Sequence, residues 1–178
     1  TGQETSHHSN ALGAQLKYKT KRVNHILFQA TFMTTQGFLL PENVESSTLA
    51  QDEGAKGLSA KDAYSVLGEV NLDYKNRYFN LWYGRKLVNT PMIGPKSARM
   101  LPSTIEGGEV SAFISEDTSI GLLYADKFKQ RTAKNFTNII KHALGADTYA
   151  VTGRDNGSTY TLNVKHTIDT SVLNIYNM

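Results

Sequence analysis

Histidine, serine and the carboxylates are the residue types that build catalytic and metal sites, and in this chain their spacing supports neither. His7 and His8 are adjacent in a polar end, with no further histidine or carboxylate at ligand spacing, so no metal is expected. Serine and aspartate abound without a base at a recognisable spacing. A phospholipase-like barrel would need a histidine and a serine on neighbouring strands, whereas His25 and His166 each fall at a short turn. Cysteine is absent, which excludes disulfides, zinc-thiolate sites and thiol nucleophiles. The chain therefore does not read as an enzyme, and no cofactor is expected. The residues that do form a pattern are charged. Lys17, Lys19, Glu69, Asp73 and Lys165, with Asn163, all fall on the polar parity of alternating segments, and charges of both signs there need water or partners. Alternation by itself is also what the wet face of a soluble antiparallel sheet looks like.

The segments that carry these residues are strands. In "LGAQLKYKT", Leu12, Ala14, Leu16 and Tyr18 share one parity, and Gly13, Gln15, Lys17 and Lys19 the other. "HILFQATFMT" sets Ile26, Phe28, Ala30 and Phe32 against Leu27, Gln29, Thr31 and Met33, making a hairpin with the first segment. "AYSVLGEVNLDY" places Tyr64, Val66, Gly68, Val70, Leu72 and Tyr74 opposite Ser65, Leu67, Glu69, Asn71 and Asp73. "YFNLWYGRKL" follows, with Phe79, Leu81 and Tyr83 against Asn80, Trp82 and Gly84. Then come "GEVSAFI", "SIGLLYADKF", "STYTLNVKH" and "SVLNIYNM", eight strands in all. Between the sixth and seventh, "NFTNIIKHALG" has Phe136, Ile139, Ile140 and Leu144 at helical spacing and Gly145 as a C-cap, so a turn or two of helix competes there with plain loop.

Composition narrows the class. The 178 residues suit one domain, 39% of them are hydrophobic, and no run approaches the ~18 apolar residues of a membrane helix, which rules out a helical membrane protein. A transmembrane barrel stays open, because its alternating strands dilute their own hydropathy. The net charge of +3 is spread along the chain, unlike the clustered basic face of a nucleic-acid binder. The polar start "TGQETSHHSNA" has no apolar h-region, so no signal peptide is expected in it.

Three features favour a membrane barrel over a soluble sandwich. Tight connections (about residues 21–24, 75–77, 115–117 and 167–169) alternate with long ones (about 35–62, 88–103 and 129–157), the asymmetry of outer-membrane barrels. Aromatics on the apolar parity cluster near strand ends: Tyr18, Tyr74 and Phe79 by the short turns, Phe32, Tyr64 and Tyr83 by the long loops, as in interfacial girdles. Finally, the strands run to about 9–12 residues, enough for a tilted bilayer crossing. The expected fold class is thus all-β, an antiparallel up-and-down transmembrane β-barrel. The alternative is a soluble lectin-like β-sandwich that binds a ligand through its long loops.

The stretch "YGRKLVNTPMIGPKSARMLPSTIEGGEVSAFISEDTSIGLLYADKFKQRT" resembles the OprD family of outer-membrane porins, especially members from epsilon-type proteobacteria. "LGAQLKYKTKR" and "YSVLGEVNLDYK" also fit the family's earlier strands, so the similarity covers most of the chain. It implies a bacterial outer-membrane channel, monomeric or loosely trimeric, in contact with membrane lipid and lipopolysaccharide. Such a channel passes small charged solutes (amino acids, peptides or carboxylates) along a row of basic side chains. It also implies that residues 1–178 are about eight strands of a barrel of about 18, one domain truncated at both ends, and that the loop after the fourth strand folds inward as a constriction. On this reading the constriction carries Ser97, Arg99, Leu101 and Pro102. Arg99, held by Pro102 and by entry into the next strand, would present a cation to the passage, and Gly107 and Gly108 would let the loop approach the wall. Basic groups in a narrow pore concentrate anions, and Lys17, Lys19, Arg99 and Lys165 are the candidates, with Glu69 and Asp73 neutralising neighbouring lysines. Arg85 joins them only if its strand end is bulged or already above the membrane, since parity puts it with the outward residues.

Overall fold

The computed structural model describes residues 10–38, 64–90, 93–94, 101–131, 133–141, 143, 157–168 and 171–177. They form strands β1 (Asn10–Lys19), β2 (Ile26–Phe38), β3 (Tyr64–Lys75), β4 (Phe79–Lys86), β5 (Thr104–Phe113), β6 (Thr118–Lys129), β7 (Thr137–Asn138), β8 (Thr159–Ile168) and β9 (Ser171–Asn177). The short turns have local causes. Between β1 and β2, Asn24 and His25 both take positive φ (47° and 71°) inside a reciprocal Val23–Ile26 backbone pair, the mirror-image geometry that matches strand twist. Between β3 and β4, the Asn76 side-chain oxygen accepts the amides of Tyr78 and Phe79, each at 2.8 Å, an Asx turn.

All strands lie in one sheet, ordered β1-β2-β3-β4-β5-β6-β8-β9 and antiparallel throughout, while β7 pairs with the loop-side end of β6 beyond the reach of β8. Sequential strands are neighbours, as in an up-and-down barrel wall, and among the described residues β1 and β9 each have a single neighbour. The eight expected strands are present, and the ninth is the two-residue β7. It occupies the segment where a helix competed with loop, and residues 139–141 just after it are helical.

The distribution of side chains inverts that of a soluble domain. Leu16, Tyr18, Leu72, Tyr83, Leu122, Tyr160 and Leu162 stand exposed on one face. Gln29, Thr31, Glu69, Asn71, Asp73 and Thr161 are buried on the other. Among the described residues no second sheet covers the apolar face, as a sandwich would require. Each large apolar side chain left in water forgoes about 1.5–3 kcal/mol, so this face suits hydrocarbon. Tyr83, Gly108, Tyr124 and Tyr160 are register partners across β4, β5, β6 and β8, forming an aromatic row toward the long loops, with Tyr124 and Tyr160 rings 5.3 Å apart. Tyr18 is exposed at the opposite end, where Tyr74 and Phe79 stack at 5.3 Å.

Strict alternation fails at two places. Thr31 pairs with Glu69 but Phe32 with Leu67, so Gly68 is an extra residue in β3; Glu106 pairs with Lys127 but Gly107 with Ala125, so Asp126 is an extra residue in β6. A bulge of this kind exchanges the faces of all residues beyond it. This corrects the expected girdle. Tyr64 and Val66 point to the polar face, where Tyr64 is buried, while Leu67 is exposed on the apolar side with Phe32. Gly68 suits its position because a Cβ there would collide with the Met33 side chain.

Candidate functional site

The polar face is built in rows by strand register. Asp73, Trp82, Glu109, Leu123 and Thr161 are successive partners across β3, β4, β5, β6 and β8. The Trp82 indole is almost fully buried and its Nε1 donates to Glu109 Oε2 at 2.9 Å. Lys86 Nζ lies 4.8 Å from the centre of the Trp82 ring and 3.8 Å from Asp73 Oδ2. The carboxylate of Asp73 also pairs with Arg22, which reaches it from the β1–β2 turn. One strand-width row below, Asn80, Ser111, Gly121 and Asn163 are partners, and the side-chain oxygens of Asn80 and Asn163 are buried without a hydrogen bond among the described residues.

The described ends of the loop after β4, residues 87–90, 93–94 and 101–103, lie on this face. At its entry Glu69 Oε1 accepts the Leu87 amide at 3.1 Å, and Asn71 Nδ2 donates to the Arg85 carbonyl at 3.0 Å. A small turn follows in which Thr90 Oγ1 accepts the Ile93 amide at 2.9 Å. Val88 and Ile93 then pack against Trp82, Ile105, Leu123 and Ala125, an apolar patch on the inner wall that also receives Ile139. At the exit Leu101 is 1% exposed between Met33 and Tyr64. Lys129 Nζ donates to the Pro102 carbonyl at 3.2 Å, and the Arg131 amide to Ser103 Oγ at 3.1 Å. Between the loop entry and the wall is a cleft of about 240 Å³, lined by Trp82, Lys86, Val88, Glu109, Thr161 and Asn163 among others.

The candidates read from sequence fall into five groups, the last of them Arg85 alone. Lys17, Glu69 and Asp73 share the polar face: Lys17 Nζ is 3.7 Å from Glu69 Oε2, and Thr31 Oγ1 donates to the same oxygen at 2.6 Å. Lys19 and Lys165 have the same parity, are exposed, and have no ion-pair partner among the described residues. Leu101 and Pro102 are loop anchors, and the burial of Leu101 turns it to the wall instead of the passage. Ser97 and Arg99 lie outside the described residues.

Arg85 requires correction. It pairs in register with Val70 and Glu106 on the apolar face, where its Nε is 2.9 Å from Glu106 Oε2, and Lys127 Nζ bonds the other carboxylate oxygen at 2.6 Å. The Phe136 ring covers the guanidinium at 4.4 Å. No bulge falls in β4 to turn it inward, so Arg85 is an outer-rim residue and not a lining one. The role expected of Gly107 and Gly108 also changes. A Cβ on Gly107 would meet the Tyr124 carbonyl and one on Gly108 the Trp82 carbonyl, so the close approach is between strands and not between loop and wall.

Sequence reasoning passed over Lys86, Arg22 and Glu109. Lys86 was within reach of it, since extending the inward parity of Asn80, Trp82 and Gly84 by one step arrives there. Glu109 pairs with a tryptophan that is distant in sequence, and Arg22 sits in a turn, where no periodicity assigns a face.

No protein-family model and no curated protein matches the chain. Solved structures do. Pseudomonas aeruginosa OccD3 (OpdP) superposes with a TM-score of 0.61 at 19% identity, over 94% of this chain and 35% of its own. Pseudomonas aeruginosa OccK8 (OprE) gives 0.67 at 15%, over 98% and 42%. Acinetobacter baumannii OccAB3 gives 0.62 at 19%, over 93% and 41%. The fold is that of the Occ/OprD outer-membrane β-barrels. The chain spans about two fifths of the length of these Occ barrels, and so forms part of a barrel wall. In a transmembrane barrel an apolar outward face meets lipid and a polar inward face meets water.

Proposed function

We propose that this chain is part of a channel in the bacterial outer membrane, for passive and partly selective passage of small charged solutes. The observation that carries this reading is the loop after β4, which both enters and leaves along the lumenal face, among charges of both signs. A loop on the inner wall narrows the bore, and the fixed charges there sort what passes. Lys17, Lys19 and Lys165 supply exposed cations on the wall, and Arg99 is a further cation in the sequence between β4 and β5. Anionic or zwitterionic solutes, such as amino acids, peptides or carboxylates, are the class these charges suit. The relative OpdK has been seen with vanillate, itself a carboxylate. The lipid face contacts membrane lipid and lipopolysaccharide, in a monomer or loose trimer. Kinship with the epsilon-proteobacterial members rests on the loop motif "ARMLPSTIEGGE".

The test is conductance of the complete protein in planar bilayers under a salt gradient. Discrete current steps with a reversal potential on the anion side are expected, and Lys17→Gln with Lys165→Gln should move that potential toward cations. A folded, inserted protein that passes no current would overturn the proposal.

A further inference from the structure

Tyr64 and Glu69 are five positions apart in one strand, so in regular alternation they would point to opposite faces. The bulge at Gly68 puts both in the lumen. Glu69 then holds the loop where it leaves β4, through the Leu87 amide. Tyr64 holds it where it returns. With Met33, the tyrosine ring encloses Leu101, and its hydroxyl donates to the Arg131 carbonyl at 2.8 Å. The Arg131 amide in turn holds Ser103. β3 and the segment after β6 are not neighbours in the sheet, since β4 and β5 stand between them, so this hydrogen bond bridges the wall across the loop's exit.

We propose that β3 is a two-point clamp, with Tyr64 as its positioning residue, that fixes where the inward loop lies and hence the open area of the channel. This rests on the channel reading above. Either point alone would leave a tether about which the loop could swing. Both points on one strand tie the loop's two ends to a single rigid element. The extra residue at Gly68 is what brings Tyr64 and Glu69, five positions apart, onto one face. A Cβ at Gly68 would displace Met33 and with it the socket for Leu101.

The chain contains no cysteine, so a pair introduced by Tyr64→Cys and Leu101→Cys is the sole thiol pair in this stretch. In the complete folded protein this pair is expected to oxidise readily. The oxidised form should then show a single stable current level, and the same molecules after reduction should show new current levels and a larger mean conductance. Tyr64→Phe, which keeps the packing and loses the bond to Arg131, should add noise without the larger conductance. Failure of the disulfide to form in a folded barrel, or identical currents before and after reduction, would overturn the clamp. Loss of all conductance in the unmodified protein would overturn the channel reading, while disulfide formation would still report on the clamp.

Discussion

The Glu69 carboxylate accepts the Leu87 amide at 3.1 Å, so a side chain of β3 holds the first residue beyond β4. That carboxylate is buried and also takes the Thr31 hydroxyl and faces Lys17. Glu69→Ala leaves the amide and the hydroxyl without their acceptor, and each buried group so orphaned costs about 1–3 kcal/mol. The heat-induced shift in gel mobility of the complete protein should occur at a lower temperature in the variant, and Glu69→Gln, which keeps an acceptor, should lose less.

Leu162 and Asn163 are adjacent but lie on the apolar and polar faces of the sheet respectively, which on the proposed reading are hydrocarbon and lumen. Leu162→Arg should destabilise the barrel by about 2–4 kcal/mol if it lies near mid-bilayer. Asn163→Arg should cost far less, because the lumen is wet. Urea unfolding from lipid vesicles measures both, and equal costs would contradict the assignment of faces.

Lys86 places a cation over Trp82 beside the cleft. On the proposed channel reading, Lys86→Gln removes positive charge beside the inward loop, so the reversal potential should move toward cation preference. Arg85→Gln, on the outer rim, should leave the potential where it was.

Gly84 takes φ +124°, a backbone state that L side chains rarely adopt, and a Cβ there would strike the Val70 carbonyl. Gly84→Ala combines backbone strain of about 1–3 kcal/mol with that collision. The folded, heat-modifiable fraction in a refolding assay should fall sharply, whereas Gly94→Ala, where a Cβ meets nothing, should refold normally.

Period-two alternation was enough to read the strands and, for β1, β2 and β4, the faces of Lys17, Phe28 and Trp82. It misassigned Tyr64 and Leu67 because one unpaired residue shifts parity without altering composition, and Gly68 looks in sequence like any strand glycine. The two loop ends could be bounded from turn residues and strand starts. Their seats could not: Met33, Glu69 and Arg131 contact the loop through separations of many residues, and alternation carries no information about which distant side chains meet. Arg85 shows the reverse case, since parity placed it with the outward residues and only a bulge or a strand end above the membrane argued for the lumen.

The extra residues at Gly68 in β3 and Asp126 in β6 have a consequence for engineering. Loops borrowed from another barrel must be spliced with the same count of residues between each junction and these two positions. A graft one residue short in β3 would arrive inside out, with Leu67 turned to the water-filled bore and Tyr64 to the acyl chains. Length matching at those two points therefore governs a chimaera more than sequence similarity of the loops themselves.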